Sequence, residues 1–303
     1  MDEAIEQLSL ESTDVVVDAT IGGAGHFKAL LSHLSKDGVL VGIDADEEAV
    51  QRGKDASALA QASVHVVHDN FRNLGGILDR LNIKTIDKAL FDLGWSSYHL
   101  SAGRGFSFQV DEPLHMTYGT PKQGKTAADI INLASEEALA DMLCALGEER
   151  FARSIARAIV EVRAQAPITT TKELVDAVLQ GTPVWYQRRR IHPATKTFQA
   201  LRIAVNDELG ALREGLTTAI NRLSDGGRIA VISFHSIEDR IVKIMLKDRA
   251  HDGTGTLVTK KPITPSRAEL LANPRARSAK LRVFEKGLSQ GHAPSPVSHY
   301  TYA

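Results

Sequence analysis

A single cysteine, Cys144, is the chain's only thiol. One cysteine excludes an internal disulfide framework and any cysteine-rich zinc site. It falls in an apolar helical stretch, where a buried, inert thiol is expected rather than a nucleophile. Long apolar runs are also lacking: none reaches the roughly 20 residues that cross a bilayer. Met1-Asp2-Glu3 has none of the basic character that opens a secretory signal, so the cytoplasm is the expected compartment, with no membrane partner. An excess of either charge is missing too. The formal net charge is −1, so any basic surface for a nucleic acid must come from local clustering. What is present, 43% apolar and 24% charged residues over 303 positions, suits one large domain or a core with an inserted lobe.

Through the first ninety residues short apolar runs alternate with amphipathic stretches. Val15–Asp18, Val39–Ile43, Val64–Val67 and Ala89–Phe91 read as buried strands. Between the first two, Phe27, Leu30, Leu31 and Leu34 follow the spacing of a one-faced helix. This alternation predicts a parallel sheet covered by helices. From about Thr126 the periodicity is helical only. Phe151, Ile155, Ile159 and Val162 form one stripe, with Arg157 and Glu161 paired i, i+4 on the outside. Thr170 to Glu173 reads as a capping box. A long helix is expected after His192-Pro193, with Phe198, Leu201, Val205, Leu209, Leu216 and Ile220 inward. Strand signals return at Arg228–Ser233 and near Leu281–Phe284. The organisation expected is an α/β core (1–100 and 201–303) interrupted by an all-helical lobe (101–200).

Val15 to His26 is a strand running into a glycine-rich turn and a helix, with Gly22, Gly23 and Gly25 in the turn. Glycines let a backbone approach a ligand, and the helix N-terminus offers free N–H groups. A dinucleotide pyrophosphate and the amino-acid end of S-adenosylmethionine both suit such a turn. The dinucleotide fingerprint is broken, because Lys28 stands where its third glycine belongs. Asp18 at the strand end suits a ligand carrying an ammonium group. A plain turn without ligand is the alternative. The next strand ends at Asp44-Ala45-Asp46, where an acid can accept from ribose hydroxyls. One of the two acids is expected to cap the following helix instead, and the ribose role goes to Asp44. Phe71, after the third strand, suits adenine contact or core packing equally.

The fourth strand delivers Phe91-Asp92-Leu93-Gly94-Trp95-Ser96-Ser97 to the crevice beyond the strand ends, where open parallel sheets bind ligands. With Asp18-Ala19-Thr20-x-Gly-Gly-x-Gly-His26, Arg104-Gly105-Phe106-Ser107-Phe108 and Gly147-Glu148-Glu149-Arg150-Phe151-Ala152, this segment resembles the MraW/RsmH family. So do His192-Pro193-Ala194-Thr195 through Leu209, Val231-Ile232-Ser233-Phe234-His235-Ser236, and Asn273 to Arg282. These blocks run through nearly the whole chain in the family's order. The resemblance implies a Rossmann-like S-adenosylmethionine-dependent methyltransferase sheet, and transfer of a methyl group to the N4 amine of a cytosine in the decoding region of 16S rRNA. Carried over by position, it implies cofactor contacts from Ala24, Gly25, His26, Asp44, Phe71 and Asp92, with His99 where the family usually has glutamine. Gly23 and Asp18 join this set on the reading above. The helical insertion is taken in the family as the lobe that recognises substrate. This chain departs from the pattern at Trp95, Tyr98 and His99. It departs again at Pro113 to Gly119, where two acids and an arginine are replaced, and it lacks the usual N-terminal His-x-Pro-Val-Leu block.

A sulfonium methyl is already activated, so no metal is expected; the protein must align the nucleophile and exclude water. Asp92 is the candidate acceptor for the cytosine amine, or else a cofactor or loop-ordering residue. Ser96 and His235 complete the catalytic candidates, with His235 equally suited to cap a helix beside Ser236. His65 and His68 lie in no metal-ligand motif. Trp95, Tyr98, Phe106 and Phe108 are candidates to hold a flipped base, the two phenylalanines being equally suited to packing. Arg188, Arg189 and Arg190, beside Trp185 and Tyr186, form one basic cluster for rRNA phosphates. Arg275, Arg277 and Lys280, with Lys260, Lys261 and Arg282, form a second. Two other readings remain open at this level: methylation of a different amine, and a catalytically silent ribosome-assembly factor on the same fold. The Asp/Asn-Pro-Pro-aromatic signature of DNA amino-methyltransferases is absent at Asp92 to Trp95. The small ribosomal subunit is the expected partner, and a homodimer is left open.

Overall fold

The apolar runs become strands, and their alternate residues pack on opposite faces of one sheet. The computed structural model describes residues 2–94, 103–119 and 126–287. It begins with a helix at Asp2–Leu8 (α1), then alternates Val15–Asp18 (β1), Gly25–His33 (α2), Val39–Asp44 (β2), Glu47–Ser57 (α3), Ser63–His68 (β3), Leu74–Arg80 (α4) and Ile86–Asp92 (β4). After a helical stretch the sheet is completed by Leu223–Ser233 (β5), Gly255–Leu257 (β6) and Lys280–Lys286 (β7). The seven strands lie in the order β3-β2-β1-β4-β5-β7-β6. The first five are parallel, and β7 runs antiparallel between β5 and β6. This is a Rossmann-like α/β sheet whose strand order reverses between β1 and β4. Val17, Val41, Phe91 and Val231 contribute to one apolar cluster, while Val16, Leu40, Leu90 and Ala230 contribute to another on the opposite face. That alternation is the two-residue period of a pleated strand buried on both sides.

The helical stretch comprises Ala127–Leu133 (α5), Glu136–Gly147 (α6), Ala152–Arg163 (α7), Thr171–Gln180 (α8), Val184–Gln187 (α9) and Thr195–Asn206 (α10). Its buried apolar residues, from Leu114 to Leu201, form a cluster of their own. The capping box at Thr170 and Glu173 is present at the start of α8. Among the described residues no helix is long and apolar enough to cross a membrane.

Three expectations are corrected. The long helix after His192-Pro193 is two helices, α10 and Glu208–Arg222 (α11), broken at Asp207, which is left-handed with φ 46°. The break is held by Asn206, whose amide donates to the Met116 carbonyl (2.8 Å) and accepts the Tyr118 N–H (3.0 Å). Arg157 pairs with Glu136 at 3.7 Å rather than with Glu161, because α6 packs alongside α7. Cys144 is exposed, not buried: Leu139, Ala140, Leu143 and Gly147 make the inner face of α6, and Cys144 falls outside it. Phe106 stacks on Tyr118 (centroids 5.7 Å apart), and Phe108 stacks on His192 (4.7 Å) and meets Phe198 edge-on. Both phenylalanines therefore pack against the lobe.

Candidate active site

The tips of β1, β2 and β4 surround a cavity of about 500 Å³, walled on its other sides by α11, the β5 tip and the segment 263–281. The glycine-rich turn is shaped by two left-handed residues, Gly22 (φ 50°) and Ala24 (φ 61°). For alanine that conformation costs about 1–2 kcal/mol, and it is held here because the turn is tied down at both ends. The Gly22 N–H donates to Asp44 Oδ2 (2.8 Å) and the Ala24 N–H to the Ile21 carbonyl (2.7 Å). No side chain caps the nine-residue helix α2 that follows, and Gly25 and His26 at its start line the cavity. Its first N–H groups are therefore available to an anionic group. At Gly42 a Cβ would overlap the Phe27 ring, so glycine is what lets α2 lie close on β2.

Three ionisable groups converge beneath this turn. His26 Nδ1 lies 3.2 Å from Asp92 Oδ2. Asp18, fully buried, accepts the Thr20 N–H at 3.1 Å. Thr20 in turn accepts the Asp92 N–H through Oγ1 (2.8 Å), joining the tips of β1 and β4. Burial pushes the Asp18 carboxyl up to about 7, against the opposing pull of His26 and the Thr20 N–H. Burial acts to lower His26, but the Asp92 hydrogen bond and the charges of Asp92 and Asp18 outweigh it, and the imidazole is raised. Three buried atoms of the cluster, Asp18 Oδ2, Asp92 Oδ1 and His26 Nε2, have no hydrogen-bond partner among the described residues. Unsatisfied buried polar atoms are rare unless a ligand or water supplies the partner.

The S-adenosylmethionine that the resemblance implies fits this arrangement. Asp92 belongs to the cavity wall and its buried Oδ1 has no hydrogen-bond partner among the described residues, and the uncapped start of α2 suits a carboxylate. Asp44 stands at the β2 tip with both oxygens already accepting backbone N–H groups, from Gly22 and Asp46; a carboxylate oxygen has a second lone pair for a hydroxyl. Asp46 occupies the N-cap position of α3 without making a side-chain cap, and instead meets Arg104 at 3.2 Å. Phe71 meets Phe91 edge-on at 5.6 Å, which is the packing alternative, and it also lines the cavity.

Of the residues singled out in the sequence, Gly23, Gly25, His26, Asp44, Phe71, Asp92 and Arg275 form cavity wall, while Asp18 and Ala24 lie buried just behind it. Trp95, Ser96, Tyr98 and His99 lie outside the described residues. His235 is the N-cap of the helix Ser236–His251 (α12): its Nδ1 accepts the Glu238 N–H, while Glu238 accepts from Phe234 (2.9 Å) and His235 (3.3 Å) N–H. The capping alternative thus describes its contacts. Arg188, Arg189, Arg190 and Arg277 are exposed. Lys280 and Arg282 instead bond the same carboxylate, Asp239, at 2.9 and 2.7 Å.

Several wall residues carry no signal of their own in the sequence. Tyr118, Asn206, Glu208 and Glu238 line the cavity opposite the glycine turn. Glu208 takes a two-pronged bond from Arg202 (2.8 and 2.9 Å) and the Tyr118 hydroxyl at 2.6 Å. Burial acts to raise Glu238, but His235, Arg202 and the Phe234 N–H bring it below the usual carboxylate value. Glu208, His235 and Glu238 bring ligand-type atoms within 4.8 Å of one another. With both Glu208 oxygens engaged, the group has the geometry of an ion-pair network.

Comparison with known proteins shows the family. A protein of Citrifermentans bemidjiense named "Ribosomal RNA small subunit methyltransferase H" is 44% identical over 301 residues, covering 94% of this chain and 96% of the relative. One of the same name from Brevibacillus brevis is 43% identical over 302 residues, with the same coverage. The crystal structure of an rRNA methylase from Streptococcus thermophilus superposes with a TM-score of 0.43 at 14% identity, over 95% of this chain and 93% of that one. Residues 1–287 match the MraW methylase family as a whole, and the chain belongs to that family of methyltransferases.

Proposed function

We propose that this enzyme transfers the methyl group of S-adenosylmethionine to the N4 amine of a cytosine in 16S rRNA of the small ribosomal subunit. The observation that carries the reading is Asp92: a cavity-wall residue at the β4 tip, whose carboxylate meets His26 through one oxygen and whose other, buried oxygen has no hydrogen-bond partner among the described residues. The family and the names of the relatives support the substrate class.

S-adenosylmethionine, when bound, supplies a methyl group on a positively charged sulfur, already activated for attack. Gly23, Gly25, His26, Asp44 and Phe71 are the residues that would hold it. The remaining work falls to Asp92. The lone pair of cytosine N4 is delocalised into the ring. An acceptor at its N–H localises that pair and stabilises the positive charge appearing on nitrogen as the bond forms. Asp92 Oδ1 is that acceptor, and the proton released from nitrogen passes to it. The raised imidazole of His26 holds Asp92 Oδ2 and fixes the carboxylate's orientation. Thr20 fixes the backbone of the same residue. Trp95, Ser96 and His99 follow Asp92 in the sequence and are proposed, in that order, to hold the flipped base, to take part in catalysis and to contact the cofactor. Arg275 and Arg277 are proposed to contact phosphates; Lys280, engaged by Asp239, contributes less.

The test is nucleoside analysis of small subunits from cells lacking this modification, after incubation with purified protein and cofactor. The expected product is N4-methylated cytidine at one site. Methyl groups on a different atom would refute the assignment. Cofactor binding without turnover would point instead to a silent assembly factor.

A further inference from the structure

The corner of the helical lobe nearest the β5 tip carries a cluster with no part in methyl transfer. Glu148 ends α6 in a left-handed conformation (φ 49°) and turns its carboxylate to the core, accepting from Ser236 Oγ and Arg240 Nη2, each at 2.7 Å. Those two residues open α12, directly after Phe234 in the cavity wall. The next residue, Glu149, is buried and accepts the Phe151 N–H (2.9 Å) and the Tyr186 hydroxyl (2.8 Å). Burial, then the Glu149 hydrogen bond, pushes the Tyr186 phenol up to about 12, so it remains a donor. On this base Phe151, Trp185 and Tyr186 meet edge to face, with ring centroids 4.8, 5.7 and 5.9 Å apart. The Arg150 guanidinium lies 5.1 Å from the Phe151 ring and 5.2 Å from Trp185. Arg189 lies 5.2 Å from Trp185 and 5.5 Å from Tyr186.

This cluster is rigid underneath and open on top. Trp185 is 49% exposed, and so are its neighbours Val184 (61%) and Ile191 (60%). Arg150, Arg188, Arg189 and Arg190 are exposed as well, and none forms an ion pair among the described residues. A purely structural aromatic cluster would bury its indole and pair its arginines with acids. A flat apolar ring framed by unpaired guanidinium groups instead matches an unstacked nucleobase with its phosphates. Such bases stack on aromatic and guanidinium planes, and phosphates release counterions to arginine.

We propose that Trp185, framed by Arg150 and Arg189, stacks an unpaired base of the RNA strand that also delivers the target cytosine, while Arg188 and Arg190 bind neighbouring phosphates. This rests on the reading of RNA as substrate. Glu148 is what sets the platform in register with the catalytic edge, since it joins the same corner to Ser236 and Arg240.

The experiment uses the full chain. Affinity for a short, fluorescently labelled single-stranded oligoribonucleotide is measured by anisotropy across a salt series. Steady-state methylation of undermodified small subunits is measured in parallel, with cofactor affinity by calorimetry as the check on folding. Trp185→Ala is expected to weaken oligonucleotide binding about tenfold and to raise KM by a similar factor, with kcat and cofactor affinity little changed. Trp185→Phe should recover most of the loss. Arg189→Gln should lower the slope of log affinity against log salt by about one. If the wild-type protein methylates subunits and Trp185→Ala matches it in Kd and KM, the platform is refuted while the substrate reading stands. If Trp185→Ala loses cofactor affinity along with RNA affinity, the indole serves packing and the proposal fails. If the wild-type protein neither binds RNA nor methylates subunits, the substrate reading falls and the platform with it.

Discussion

Asp18 offers the sharpest test of the electrostatics beneath the glycine turn. It is fully buried, and its carboxyl, pushed up to about 7 chiefly by burial, ionises near 3.9 in an unfolded chain. A folded value above the unfolded one means that folding favours the protonated acid. The associated stability is complete below about pH 4, declines as pH rises towards 7, and is gone above about pH 8. A gap of about three units corresponds to roughly 4 kcal/mol, of which about 2.5 kcal/mol is lost between pH 5 and 8. Asp18→Asn preserves the shape and the Oδ1 acceptor for the Thr20 N–H, and it abolishes the ionisation. It also removes the attraction to His26, which offsets part of the gain. Urea unfolding of the two proteins across pH 5 to 8 isolates this residue together with its coupling to His26, because the titrations of groups remote from Asp18 are shared. The variant is expected to lose about 2 kcal/mol less than the wild type over that range, and to be the more stable of the two at pH 8. The His26 ring, followed by NMR, should titrate at lower pH in the variant, since the Asp18 charge helps to raise it. Parallel stability profiles would refute the reasoning, as would an unmoved His26.

Asp92→Asn should lower kcat by about two orders of magnitude while changing cofactor affinity severalfold at most; equal losses in single-turnover rate and calorimetric affinity would reject a role in the chemical step. Asp44→Asn keeps one acceptor oxygen at the β2 tip and should weaken cofactor binding about tenfold with kcat retained at saturation, read by calorimetry and a cofactor titration of the methylation rate. Glu148→Ala removes an exposed pair with Arg240 and should cost no more than about 1 kcal/mol in urea unfolding. It should nonetheless raise KM for small subunits, because it releases the lobe corner from Ser236; an unchanged KM would count against that coupling.

The parts of this molecule that were legible in the sequence are those whose signal is local. Val15–Asp18 and Val39–Ile43 are apolar runs that can only be doubly buried strands, and they lie where expected. Asp44 and Asp92 end their strands, so identifying the strand also located the acid. Gly25 and His26 follow a turn whose glycines announce it. What was not legible depends on segments meeting across long separations. Thr20 accepts the backbone N–H of Asp92, 72 positions away, and Tyr118 bonds Glu208 across 90; neither leaves a periodic trace. The break at Asp207 shows the consequence most clearly. Read as one continuous helix, Asn206 and Glu208 lie about 200° apart around the axis, both outside the apolar stripe and with nothing to do. Asn206 instead fastens to Met116 and Tyr118 and Glu208 to Arg202 and Tyr118, and the chain turns between them at a left-handed aspartate. Both residues belong to the wall of the cavity that Asp92 and Gly23 also line. The same bend lies where the lobe's last helix gives way to the helix that packs on the sheet. One local irregularity, invisible to periodicity, therefore closes the active site and joins the lobe to the core.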